Sequence, residues 1–374
     1  GKKDGKVRQL TGRSYQSRRK IPLTYAMSNI DYAANFADFL DERNKEKPFF
    51  FWFGSYEPHR GYDYGSGIRR GEKQLNMIPE VPDFWPDNDS VRTDMLDYGF
   101  EIEQFDKQLG EVLDVLESRS EKENTLIVIT SDNGMPFPRC KANNYEYATH
   151  MPLVVVWPGM IKNRGSRVDD YVSFIDFAPT FLDVAGIDWD TSGMLSTPGM
   201  SLKSIFTGKL SRAEEKHRQS VLLGRERNDF SRPNNGGYPI RAIIYNGTLF
   251  QINIKPDRYP AGHPVLGYLE VDASPTKTVI LNRNRQGDTL WYRYCFDKRP
   301  EEEMYDLTKD PYCLTNLAKD KRYSRQKKAL KDELLRRLTD QDDPHMVGDG
   351  DVFESYPFDG PAWRWNFYEQ VVSG

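Results

Sequence analysis

The sequence predicts an α/β protein: a covered, mostly parallel central sheet with a smaller α+β part after it. Three observations carry that reading. Fully apolar runs of strand length stand at Phe49–Phe53 and Leu126–Ile129, and again within Pro152–Trp157. A strand that is apolar on both faces belongs inside a sheet covered on both sides. Stretches with helical spacing of apolar residues separate these runs, so strands and helices alternate. After about residue 210 the pattern changes to extended segments around Asn246-Gly247 and one late amphipathic stretch.

Taken in order, residues 1–27 read as a solvated basic arm, since eight of the first 20 residues are Lys or Arg. Ser28 is a suitable N-cap for a helix marked by Ile30, Ala33, Ala34, Phe36, Ala37 and Leu40. Residues 56–93 hold Gly, Pro, Asp, Tyr and Trp without a period and read as an ordered surface loop. Leu96, Phe105, Leu109, Val112, Leu113 and Leu116 mark a long amphipathic helix. Thr125–Thr130 and Pro152–Trp157 follow as strands, and Ile175–Val184 as a helix stopped by Gly186. The core is thus expected over 28–211. A subdomain over 212–374 should hold a hairpin with a primed turn at Asn246-Gly247 and a helix over Ser324–Thr339.

Composition limits the function classes. Hydrophobic residues make up 38% and aromatics 13%, enough for a core, which excludes disorder as the main state. The formal net charge of −4 gives no bulk basic field, so nucleic acid is not an expected partner. No run reaches the ~18 apolar residues of a membrane helix, so membrane insertion is not expected either. The oligomeric state is left open. Cys140, Cys295 and Cys313 cannot pair completely and lack zinc spacing.

The candidate chemistry sits where strands end. Ser131-Asp132-Asn133-Gly134 follows the second strand directly, and ligands gather at the carboxyl ends of strands in open α/β sheets. Asp132 and Asn133 offer hard oxygens to Ca²⁺ or Mg²⁺; a plain Asx turn is the other reading. Past the first strand come Glu57, Pro58, His59 and Arg60. His59 suits proton donation to a leaving group. Arg60 suits a planar carboxylate or an oxyanion. Lys141 lies nine residues after Asp132 and can neutralise an anion held on the metal. His150, just before the third strand, can line the same mouth or merely cap a turn.

These loops, in this order, resemble the sulfatase family of the alkaline-phosphatase-like superfamily. The likeness extends from Leu96–Leu116 and Asn124–Gly134 through Lys141, Tyr145-Glu146, Pro152–Gly159, Ile175–Thr180 and Gly199–Leu202 to Met304–Pro311 with Asn316-Leu317-Ala318. Glu57–Arg60, Ser131–Pro138 and Tyr238–Arg241 look most like heparan N-sulfatase (sulfamidase) and its bacterial relatives. The resemblance implies that Asp132 and Asn133 are two ligands of one Ca²⁺. It implies that Lys141 is the cation on the sulfate and that His59 faces the sulfate or the leaving group. Glu57, Arg60, His150 and Arg241 are carried over as substrate-binding residues. The implied reaction is hydrolysis of a sulfate ester or sulfamate on a sulfated glycan, in a periplasmic or lysosomal setting. A hydrated formylglycine would be the nucleophile.

The chain departs from the family pattern in two places. It contains neither the Asp-Asp metal pair near the N-terminus nor the C/S-x-P-S-R motif that yields formylglycine. It is therefore expected to be a sulfatase without its N-terminal segment, inactive as it stands. A non-catalytic binder of sulfated glycans, using Arg60, Arg69, Arg70 and Lys73, is one alternative. A phosphodiesterase of the same superfold is the other.

Overall fold

The computed structural model describes residues 2–3, 6–7, 12–357 and 370. The rest of the expected basic arm (1, 4–5 and 8–11) and of the C-terminal tail (358–369 and 371–374) lies outside the described residues. The chain forms two compact units, Gly1–Glu80 with Asn88–Thr125, and Val81–Asp87 with Leu126–Gly374. The change of pattern near residue 210 does not coincide with a boundary between them.

The first unit is built on helix α1 (Tyr32–Glu42) and the 30-residue helix α2 (Asp89–Ser118). Ser28 does not cap α1. Asp31 does, accepting the Ala34 N–H at 3.0 Å, while Ser28 takes the Ile30 N–H at 3.1 Å. A carboxylate one residue before the first turn also meets the positive end of the helix dipole. Asn88 caps α2 in the same way, accepting from Val91 at 3.1 Å.

Two expectations in this unit are corrected. The run Phe49–Phe53 joins no strand. Its odd residues pack inward: Phe51 lies 4.7 Å from Phe36 and 4.9 Å from Phe39, and Phe53 stacks on Phe105 at 5.9 Å. Phe50 and Trp52 point outward, 66% and 81% exposed. The segment is covered on one face, as a period of two allows. The buried face of α2 is also more polar than its leucines suggest. Asp94, Asp97, Glu101, Gln104 and Gln108 are buried, whereas Phe105, Leu109 and Leu113 are half-buried.

The second unit opens with strand β1 (Ile127–Thr130), paired with β2 (Leu153–Val156) from Ile127↔Val156 to Thr130↔Leu153. The pairing is antiparallel, as is every strand pair among the described residues. The expected parallel sheet is therefore not seen there. The short helix α3 (Glu146–Thr149) precedes β2, and helix α4 (Phe177–Val184) follows it, closed by Gly186 at φ 71°.

A four-stranded antiparallel sheet comes next, in the order β3 (Ser220–Arg225), β4 (Ile240–Tyr245), β5 (Thr248–Asn253) and β6 (Glu302–Asp306). Asn246 and Gly247 join β4 to β5 with φ of 43° and 74°, the left-handed pair that a primed two-residue turn requires. Alternation along the strands splits the core in two. Ile243, Phe250 and Met304 face Leu330, Leu334 and Leu338 of a C-terminal helix (Ser324–Asp340). Ala242, Ile244, Leu249 and Tyr305 face Tyr145, at the entry to α3.

Leu334 is fully buried in the first of these clusters. Leu334→Ala should lower stability by about 2–5 kcal/mol, read as a shifted denaturation midpoint with an unchanged m-value.

Candidate active site

β1 delivers Ser131–Gly134 into a turn that the rest of the second unit clamps. The Gly134 N–H donates to the Ala148 carbonyl at 3.0 Å. A Cβ at this position would sit 2.2 Å from the Tyr147 carbonyl oxygen. Only glycine allows the strand exit to lie so close to α3. Asp132, at the tip, is exposed, and its carboxylate takes no hydrogen bond among the described residues. Asn133 turns its amide N–H to the Gly134 carbonyl at 3.0 Å, and its own carbonyl accepts from Ser131 Oγ at 3.0 Å. Asp132 is thus an uncommitted hard anion on a fixed loop. The two side chains fit a Ca²⁺ ion but supply only part of the six to eight oxygens it takes. No group of three His, Cys, Asp or Glu able to hold a metal occurs among the described residues.

The segment from Met135 to Lys141 is held from several sides. Trp85 Nε1 donates to the Pro138 carbonyl at 2.9 Å, and its ring lies 4.9 Å from Phe137. Arg139, buried and at φ 69°, donates to the carbonyls of Tyr294 and Cys313. Its guanidinium lies 4.0 Å from the Tyr145 ring centroid. Lys141 then emerges with its backbone N–H on the Met135 carbonyl at 3.1 Å. Its ammonium is 3.3 Å from Asp272 Oδ2, with both side chains partly open to solvent. Close by, Lys277 donates to the carbonyls of Tyr268 and Val271 at 3.0 and 2.8 Å, and burial pushes it down to about 8 against the pull of Asp272.

Sequence reasoning missed Arg139 and Asp272. Arg139 lies in a loop with no period, and Asp272 is 131 residues from its partner. No local signal marks either.

His150 projects beyond α3, with Nδ1 on Glu146 and its side chain 77% exposed. The hydrogen bond to Glu146 raises its pKa above the usual imidazole value. Arg241 lies in β4, buried, with Nε on Asp343 at 2.7 Å and its other arm on Glu226.

The remaining candidates belong to the first unit. Glu57 is buried and accepts from the Ser28 N–H at 2.6 Å and from Ser55 Oγ at 2.8 Å. His59 is exposed; its N–H donates to the Tyr56 carbonyl at 2.8 Å, and its ring is 5.4 Å from that of Tyr56. Nδ1 of His59 lies on the Arg60 carbonyl. Arg60 is buried and grips Asp94 with two hydrogen bonds of 2.7 and 3.0 Å. Its guanidinium also lies 4.5 Å from the Tyr62 ring. The structure thus groups Asp132, Asn133 and Lys141 on one clamped loop, and Glu57, His59 and Arg60 on another. Arg241 stands apart from both, within the small sheet.

Residues 4–187 match the sulfatase family. It is 28% identical to the N-sulphoglucosamine sulphohydrolase of Homo sapiens over 333 residues, covering 83% of this chain and 64% of that protein. It is 29% identical to an ulvan-active sulfatase of Formosa agariphila, covering 69% of this chain and 40% of that one. A solved structure from the glycosaminoglycan metabolism of Bacteroides thetaiotaomicron shares the fold, with a TM-score of 0.58 and 18% identity over 86% of this chain and 61% of that one. The chain therefore spans less than two thirds of the length of these proteins.

Gly134→Ala should force the loop off α3, with an overpacking penalty of about 1–3 kcal/mol, seen as a lower Tm. Glu146→Gln should return the His150 titration to lower pH, because it removes the group that favours the charged ring; NMR of the imidazole protons reads this directly.

Proposed function

We propose that the chain is the larger part of a sulfatase that hydrolyses sulfate esters or sulfamates of heparan-type glycans, with N-sulfoglucosamine as the favoured unit. The observation that carries this reading is the Asp132 carboxylate, exposed and uncommitted on a loop that Gly134 fixes against α3. Asp132 and Asn133 would hold one end of a Ca²⁺ ion, the remaining oxygens coming from a preceding segment that also carries the formylglycine. When bound, the ion withdraws charge from the sulfate oxygens. Lys141 adds a second positive charge there, and its ammonium can leave the partly exposed Asp272 for an anionic oxygen. His59, exposed on its own loop, would give a proton to the departing amine or hydroxyl as the bond to sulfur breaks. An extracytoplasmic setting accords with this substrate. No described helix is long and apolar enough to cross a membrane.

Phe50 and Trp52, exposed on one face of the 49–53 segment, form an apolar face suited to a covering element. A role limited to glycan binding has less support. Of the four cations it would use, Arg60 is buried and committed to Asp94.

In the complete protein, Lys141→Ala and His59→Ala should each lower kcat/KM for sulfate release from N-sulfoglucosamine by about 10²–10³. The 374-residue chain alone should release none and bind Ca²⁺ weakly. Sulfate release by that chain, or full activity in both variants, would refute the assignment.

A further inference from the structure

A buried carboxyl group in the first unit has no hydrogen-bond partner among the described residues. Glu101 is 1% exposed, and neither of its oxygens takes a hydrogen bond. Three residues further along the same face of α2, the Gln104 amide oxygen is also without a donor, and the Gln108 amide nitrogen is without an acceptor. The groups around Glu101 are mostly acidic. Glu57 presses on it from the 55–60 loop and Asp97 from its own helix. Tyr62 faces it as well, a phenol that burial keeps neutral. The nearby guanidinium of Arg60 is committed to Asp94, and Asp97 is committed to the N–H groups of Gly65 and Gly67 at 2.7 and 2.8 Å.

An ionised carboxylate with no donor costs several kcal/mol to bury. A neutral carboxylic acid removes the charge and adds one O–H to a cluster that has acceptors to spare. We propose that Glu101 holds a proton at neutral pH and that this proton keeps Glu57, and with it the loop carrying His59, in place. Glu57 is the link because it anchors that loop to the Ser28 N–H and to Ser55 Oγ, whose oxygen also lies 3.0 Å from the Gln108 amide oxygen. Glu101 is thereby a positioning residue, whatever reaction the loop serves.

Burial first, then Glu57 and Asp97, push Glu101 up to about 8 from an ordinary 4.5. The folded state then keeps a proton that the unfolded state has lost. Stability is greatest below the unfolded value, falls as pH rises between the two, and levels off above the folded value.

The test compares the 374-residue chain with Glu101→Gln, which keeps a donor without a titration. Relative to the variant, the wild-type folded-to-unfolded ratio should fall about tenfold per pH unit between roughly pH 5 and 8, and no further above that. At pH 7 the wild type should show the infrared carbonyl band of a protonated acid, and Glu101→Gln should lack it. Glu57→Gln should move that band's titration to lower pH, because a repelling carboxylate is gone. Hydrogen exchange at the Ser28 amide, corrected for its intrinsic pH dependence, should quicken above pH 8 in the wild type only. Parallel stability curves, or no such band in the wild type at pH 7, would overturn the proposal. So would a Tm that rises with Na⁺ or K⁺ in the wild type but not in Glu101→Gln, which would assign the space to a cation. The infrared measurement on the wild type stands even if a variant fails to fold.

Discussion

The missing Cβ at residue 134 sets the geometry of everything downstream. The strand exit that carries Asp132 lies against the Tyr147 carbonyl of α3. α3 is itself anchored. Tyr145, at its entry, packs on Ala242, Ile244 and Leu249 of the small sheet, and its hydroxyl donates to Glu303 of β6 at 2.9 Å. Arg139 adds a second tie, reaching the carbonyls of Tyr294 and Cys313. The sheet formed late in the chain is thus the platform for a loop formed much earlier. This is the physical reason that Leu126–Gly374 packs as one unit with Val81–Asp87.

The two units hold their loops by different means. In the second, the clamp is close packing: a glycine, an indole, an arginine sandwiched by aromatic rings. In the first, the 55–67 segment lies on charge. Asp94 takes Arg60, Asp97 takes two backbone N–H groups, and Glu57 takes Ser28 and Ser55. Buried polar contacts give direction but tolerate no missing partner. A helix that carries Asp94, Asp97, Glu101, Gln104 and Gln108 on its inner face therefore fixes loop geometry at the expense of hydrophobic burial there.

Local patterns in the sequence located most elements. The hairpin at Asn246-Gly247 was legible because a type I′ turn needs φ > 0 at both central positions, and Asn-Gly is the pair that supplies it most readily. The long helix was legible from its period, though not its polar inner face: apolarity was read as burial, and Leu109 and Leu113 are only half-buried. Phe49–Phe53 misled for a related reason. Five apolar residues in a row do not tell whether one face or two will be covered, because that depends on what packs above and below. In the candidate site, the shared loop of Asp132, Asn133 and Lys141 was legible from their closeness in the sequence. Asp272 and the ties of Arg139 were not, since both depend on contacts more than a hundred residues away.

Commitment separates cations that can take a substrate anion from those that cannot. Arg60 and Arg241 are buried and paired with Asp94 and with Asp343 and Glu226. For either to turn to a sulfate, a carboxylate would be left buried without a counter-charge, at a cost of several kcal/mol that one exposed hydrogen bond does not return. Lys141 has no such obligation. Its partner lies 3.3 Å away and partly in water, so Asp272 can be left to solvent for little, as with other exposed pairs. Of the three cations, Lys141 is therefore the one that can turn to an anion at little cost. The same test leaves Arg60 and Arg241, both of them attractive on residue type alone, as parts of the frame.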